Sequence, residues 1–238
     1  MPKSPWLGSE EPRDHLLRAQ KMPIDYSAML ALSCAVTALQ GAIMLVLWQS
    51  RRDAAWLPWR AATFVLGGGF LFLFVIGDES MRQISIGLGT AIFIAATFTV
   101  WTSARVFAGK PPIWAALIAA LGIWAGLGIL TDTLDTLLPA VLVQSAAGIG
   151  WIGGGAWEQF RARREGRTFG EWGVIVLYAA VALFFALRLP FIVLWPFPFG
   201  ALDADTAWLA TFVVGLDIAA MLLTTFTVLG LRDGEAQP

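Results

Sequence analysis

Long uncharged stretches alternate with short charged clusters along this chain. Residues 26–50, 83–104, 111–131 and 136–157 contain no Asp, Glu, Lys or Arg. A helix that crosses the hydrocarbon of a bilayer needs about 20 mainly apolar residues. Each of these stretches is long enough. Residues 61–77, extended backwards by the Leu57–Trp59 segment, add a fifth. Two more, 172–193 and 206–231, each hold one internal charge, Arg188 and Asp217. The pattern predicts an all-α integral membrane protein, a seven-transmembrane-helix bundle. Its helices are expected near 26–50, 57–77, 83–108, 111–131, 135–158, 171–193 and 206–231. A polar tail, 1–25, precedes them and a short tail, 232–238, follows. Backbone groups must pair within the lipid, which leaves helices or closed barrels, and no period-2 strand pattern occurs.

The charged clusters set the expected orientation, because Lys and Arg favour the cytoplasmic side. On one side, segments 51–60, 105–110 and 158–171 and the C-terminal tail hold Arg51, Arg52, Arg60, Arg105, Lys110, Arg161, Arg163, Arg164, Arg167 and Arg232. The opposite connections hold only Arg82 and Arg188, with acids at Asp78, Glu79, Asp132, Asp135, Asp203 and Asp205. The N-terminus is therefore expected outside and the C-terminus in the cytoplasm. The basic residues of the first 25 positions oppose this, but Glu10, Glu11, Asp14 and Asp25 balance them. That tail has no short apolar run with a cleavage site, so no cleavable signal peptide is expected. Trp48, Trp56, Trp59, Trp114, Trp157, Trp172, Trp195 and Trp208 fall near predicted helix ends, where amphipathic rings settle at the membrane interface.

Composition narrows the chemistry. The chain is 58% hydrophobic and 14% charged, against about a quarter charged in soluble domains. A net charge of −1 offers no field for nucleic acid. One cysteine, Cys34, permits no internal disulfide and no multi-cysteine metal site. The single histidine, His15, lies in the polar tail, which excludes a bis-histidine haem among the helices. Lys3, Lys21 and Lys110 are the lysines, so none sits deep in the last helix to hold retinal. No catalytic arrangement is visible, and no metal or cofactor is expected.

The run GIGWIGGGAW, 148–157, places Gly148, Gly150 and Gly153 in a G-x-G-x-x-G match to the dinucleotide fingerprint. That fingerprint works between a strand and a helix in water. Here it lies inside an uncharged helical stretch. The spacing predicts a packing seam instead, with Ala146, Gly150 and Gly154 every fourth residue. Gly122 and Gly126 repeat the spacing on the fourth helix. Such seams join helices within one chain or between two, so a homo-oligomer is open. Gly67–Gly69 reads as a close-contact or bend site.

Charged and amide side chains inside the hydrocarbon are costly and mark sites or structural pairs. Asp217 sits near mid-membrane in the seventh helix, Arg188 in the outer part of the sixth, Gln40 in the first and Gln144 in the fifth. Together they form a candidate pocket for a small molecule or lipid. The alternative is structural: Asp217 pairs with Arg188, or stays protonated, and the glutamines bond neighbouring helices. Glu158 and the arginines around it read as topogenic charge attracted to anionic lipid.

Two stretches carry a family resemblance. QSRRDAAWLPWRAATFVLGGGFLFLFVIGDESMRQISIGLGTAIFIAATFTVWTSARVFAGK, 49–110, has a basic first cytoplasmic loop, a short outer loop and a third helix ending in SARVFAGK. RARREGRTFGEWGVIVLYAAVALFFALRLPF, 161–191, is a basic loop followed by a helix ending in an arginine, here Arg188. These resemble the N-terminal multi-helix membrane domain of bacterial diguanylate cyclases, over most of the seven helices. In that family the last helix leads into a cytoplasmic GGDEF domain. Here Leu231 is followed by RDGEAQP, with no GGDEF run. The resemblance thus implies a sensor domain of the bacterial inner membrane, either a stand-alone relative or one whose output domain has been removed, and as given not itself an enzyme. Its ligand would bind between helices, and the seventh helix would signal to a cytoplasmic protein. A small transporter using Asp217 as a proton or substrate site is the alternative. A structural subunit of a larger membrane complex is a third reading.

Overall fold

The computed structural model describes residues 26–76, 82–130, 137–162, 167–194 and 207–235. All regular secondary structure among them is helical. The helices are α1 (Tyr26–Ser50), α2 (Leu57–Ile76), α3 (Arg82–Phe107), α4 (Trp114–Leu130), α5 (Leu137–Ala147), α6 (Gly153–Arg161), α7 (Phe169–Leu194) and α8 (Ala207–Glu235). A π-helical turn, Gly148–Ile152, joins α5 to α6. The residues on either side of it are helical, φ −63°, ψ −44° at Ala147 and φ −63°, ψ −41° at Gly153, so the rod continues across the turn. The described residues therefore form seven rods. Five are long and apolar enough to cross a membrane: Ala28–Ser50, Gln83–Phe107, Leu138–Arg161, Phe169–Pro190 and Val214–Leu231. The apolar parts of α2 and α4 are shorter, Leu57–Leu73 and Trp114–Ile129. The tail 1–25, the acidic connections around Asp78, Asp132 and Asp203, and Arg163, Arg164 and Trp195 lie outside the described residues.

The described connections are short and locally specified. Residues 51–56 form tight turns, with Arg51 N–H donating to Trp48 O and Ala54 N–H to Arg51 O. Gly109 ends α3 at φ +74°, a left-handed conformation that glycine adopts without steric cost. Around it Lys110 N–H reaches Arg105 O at 2.8 Å and Gly109 N–H reaches Val106 O at 3.0 Å. This paired return satisfies the last carbonyls of the helix. Thr168 caps α7, its Oγ1 accepting from Glu171 N–H at 3.2 Å. Glu158 ties the ends of α3 and α6 together, accepting from Arg105 Nη1 at 2.9 Å and Lys110 Nζ at 2.5 Å.

Six rods close into a ring. α1 packs on α2, α2 on α3, α3 on the α5–α6 rod, that rod on α7, α7 on α8, and α8 back on α1. The ring encloses an apolar cluster that includes Met44, Phe64, Phe93, Tyr178, Phe185 and Leu223. α3 is the most buried of the five long apolar segments and α8 the least. α4 covers α3 and α5 through a second cluster around Ile94 and Trp124. Trp124 Nε1 donates to Gly87 O at 2.9 Å and pins it there.

The arginine-bearing turns and the C-terminal half of α8 meet at one end of the bundle, where they line a common cavity. Arginines stack on tryptophans there: Arg52 on Trp48 at 4.4 Å, Arg60 on Trp56 at 4.6 Å, Arg161 on Trp157 at 5.0 Å and Arg167 on Trp172 at 5.1 Å. Such stacking combines ring quadrupole and cation in the place where both prefer an interface.

Glycines mark the closest approaches, though not along the expected seam. A Cβ on Gly170 would meet Gly230 N, with Phe226 O at 2.5 Å and Gly230 Cα at 2.7 Å, so α7 and α8 touch backbone to backbone. Gly148 lies against Phe185, where a Cβ would sit 2.6 Å from the ring, and Gly154 against Trp101 at 3.2 Å. At Gly67 and Gly68, Thr37 of α1 lies within 3.8 Å. Ala146 is exposed, and Gly150, Gly122 and Gly126 have nothing within 4 Å of a built Cβ. Of the Ala146–Gly150–Gly154 set, Gly154 alone is in close contact. The reason is angular. Fourth-residue steps advance about 40° around an α-helix, and the π turn adds a further residue to the register. The face turned to α7 carries Gly148 and Gly155 instead.

Candidate functional site

Two groups of polar side chains between the helices stand out among those buried in the bundle. The first is the seam between α1 and α8. Ser33 Oγ donates to Asp217 Oδ2 at 2.6 Å. Two turns further on, Thr224 Oγ1 lies 3.2 Å from Gln40 Oε1. Each pair joins residues 184 apart in sequence. The rungs are thus in constant register, and α1 and α8 run parallel.

The Gln40 rung is incompletely satisfied. Thr224 Oγ1 also donates to Ala220 O at 3.0 Å, and a hydroxyl has one proton to give. Gln40 Nε2 is buried with no hydrogen-bond partner among the described residues. Turning the amide over would let Nε2 donate to Thr224 Oγ1 and would leave the carbonyl oxygen over instead. One end of this amide is unused in either setting, a cost that buried polar groups rarely carry.

Gln144 stands elsewhere, on the contact of α5 with α3, donating from Nε2 to Thr90 Oγ1 at 3.1 Å. Arg188 is buried in α7. No hydrogen bond or ion pair among the described residues links any of Gln40, Gln144, Arg188 and Asp217 to another. The Asp217–Arg188 pair is not formed, because α8 presents Asp217 to the hydroxyl of α1. Each glutamine contacts a hydroxyl of a neighbouring helix, Gln40 that of Thr224 and Gln144 that of Thr90.

The second place is the cavity at the arginine-bearing end, with a volume of about 720 Å³. Every rod of the ring except α1 contributes to it, as does the turn after α1. Its charged lining is Arg51, Asp53, Arg60 and Glu171. Arg60 lies in the first turn of α2 and is only 2% exposed. Its Nη1 donates to Thr227 Oγ1 at 2.5 Å, and its guanidinium lies over Trp56. Among the described residues its Nε has no partner, and no carboxylate lies within ion-pair distance of it. Counting charges by connection assigned Arg60 to a topogenic loop. The available signal was local: Arg60 follows Leu57–Pro58, a helix start, and stands four residues after Trp56 on the same helical face.

No group of three His, Cys, Asp or Glu side chains comes together among the described residues. No protein family, characterised protein or solved structure matches the chain. Geometry alone carries the functional argument.

Proposed function

We propose that this is a seven-span regulatory domain of a bacterial inner membrane, N-terminus outside and C-terminus cytoplasmic, in which α8 relays a signal to a cytoplasmic protein. The observation that carries this reading is the α1–α8 seam. α8 is the least buried long helix, and two hydrogen-bonded rungs tie it to α1 in parallel register. Thr37, one turn beyond Ser33, currently bonds its own helix at Ser33 O, 2.7 Å away. It offers Asp217 a second partner if α8 slides by a turn. A helix with two alternative polar registers is a two-state element, and shifts of this size are a known form of switching. A small molecule or lipid acts on it only by favouring one register over the other. The arginine–tryptophan stacks at the ends of α1 and α6 and the start of α7 suit a cytoplasmic interface.

The seam is tested by hydrogen exchange on Asp217→Leu and Asp217→Asn. Leucine removes the acceptor, so exchange along 214–231 should rise while α2 and α3 keep their protection. Asparagine retains an acceptor oxygen for Ser33 and should leave exchange close to wild type. Unchanged exchange in Asp217→Leu would show that the rung does not hold α8. The transport reading separates in liposomes: proton flux abolished by Asp217→Asn would favour it over regulation.

A further inference from the structure

We infer that the cavity at the arginine-bearing end is a binding site for a phosphate-bearing anion, with Arg60 as its principal ligand. This rests on the cavity itself and is independent of how α8 moves. Burying a guanidinium is costly unless its charge is met, and this one is buried with no carboxylate among the described residues opposite it. One hydroxyl, Thr227 Oγ1, and one ring, Trp56, hold it in place. Both leave part of the planar donor fork unused, with Nε unpartnered among the described residues. That fork matches the paired oxygens of a phosphate, and fixing the guanidinium in advance reduces the entropy lost on binding.

The surroundings favour the same occupant. The N-terminus of α7, capped by Thr168, opens on the cavity at Gly170, where the positive end of the helix dipole is offset in part by Glu171 in the same first turn. Gln159 is buried on the wall contributed by α6. The acids differ in position from Arg60: Asp53 is exposed on the turn after α1, and Glu171 lies in the first turn of α7. The volume of about 720 Å³ lies within the range of small-ligand sites, so it has room for a phosphate with its substituent. The shared chemistry fits a free phosphate compound from the aqueous phase or the headgroup of an anionic phospholipid.

The test uses the full chain purified in a phosphate-free detergent buffer. In one arm, inorganic phosphate is titrated and thermal unfolding followed. In the other, the protein is incubated with phosphatidylglycerol vesicles, re-extracted, and its retained lipid counted by native mass spectrometry. Saturable stabilisation by phosphate points to a free anion. One retained phosphatidylglycerol per chain without phosphate stabilisation points to a headgroup. In whichever arm responds, Arg60→Gln should weaken binding roughly tenfold to a hundredfold, as expected for losing charge-assisted hydrogen bonds. Circular dichroism checks its fold. If Arg60→Gln does not fold, Arg60→Lys takes its place. It keeps the charge, loses the fork, and should bind about tenfold more weakly. Wild type binding neither probe, or a folded variant binding as wild type does, overturns the assignment.

Discussion

Replacing Gly170 with valine is expected to separate α7 from α8 and to lower the melting temperature in detergent by roughly 10 °C or more. The cause is backbone geometry. A Cβ at this position would fall against the backbone of Gly230, with Phe226 O at 2.5 Å. A clash with a flexible side chain relaxes by rotation, but a clash with main chain needs a whole helix to move. Gly173, one turn on, has the Phe226 ring against it, so the two positions brace one crossing. Gly170→Ala should show a smaller loss in the same direction. A valine variant that unfolds like wild type would mean that the two helices do not cross at these glycines.

A matched pair of substitutions tests the π turn. Gly148→Leu should destabilise by about 3 kcal/mol, whereas Gly150→Leu should change stability by less than about 0.5 kcal/mol. The two glycines are neighbours in one motif but face opposite ways. Gly148 is buried with the Phe185 ring against it, and Phe185 is itself 1% exposed and touches Phe93. Close-packed interiors leave such a ring nowhere to go. Gly150 is exposed, with nothing within 4 Å of a built Cβ. Thermal unfolding of both variants in detergent decides the matter. Equal losses would show that the turn does not set these faces.

The helical rods were legible in the sequence because length and hydropathy decide them, and the helices fall on the apolar stretches. The internal geometry of the rods was not. Around 146–157 small and apolar residues occupy every side of the helix, so no periodic pattern reports which face is buried or that a π turn shifts it. Asp217 was visible as a charge in an apolar helix, but its partner depended on which helix lies beside α8. The ring closes α8 onto α1, so Ser33 and not Arg188 meets the carboxylate. Arg60 was hidden for the opposite reason. A basic residue near a helix end ordinarily reads as an anchor, and only the fold reveals that surrounding rods bury it. The polar tail and the acidic connections carry half of the charge argument but lie outside the described residues.

Labelling an engineered cysteine tests the placement of the bundle most directly. In a Cys34→Ala background, Arg52→Cys puts a thiol on the exposed turn between α1 and α2. A membrane-impermeant maleimide should leave this protein unlabelled in intact cells and modify it fully once the inner membrane is opened, with all of it in the membrane fraction. Labelling in intact cells, or recovery of the chain in the soluble fraction, would contradict a bundle that crosses the membrane with its arginine end in the cytosol.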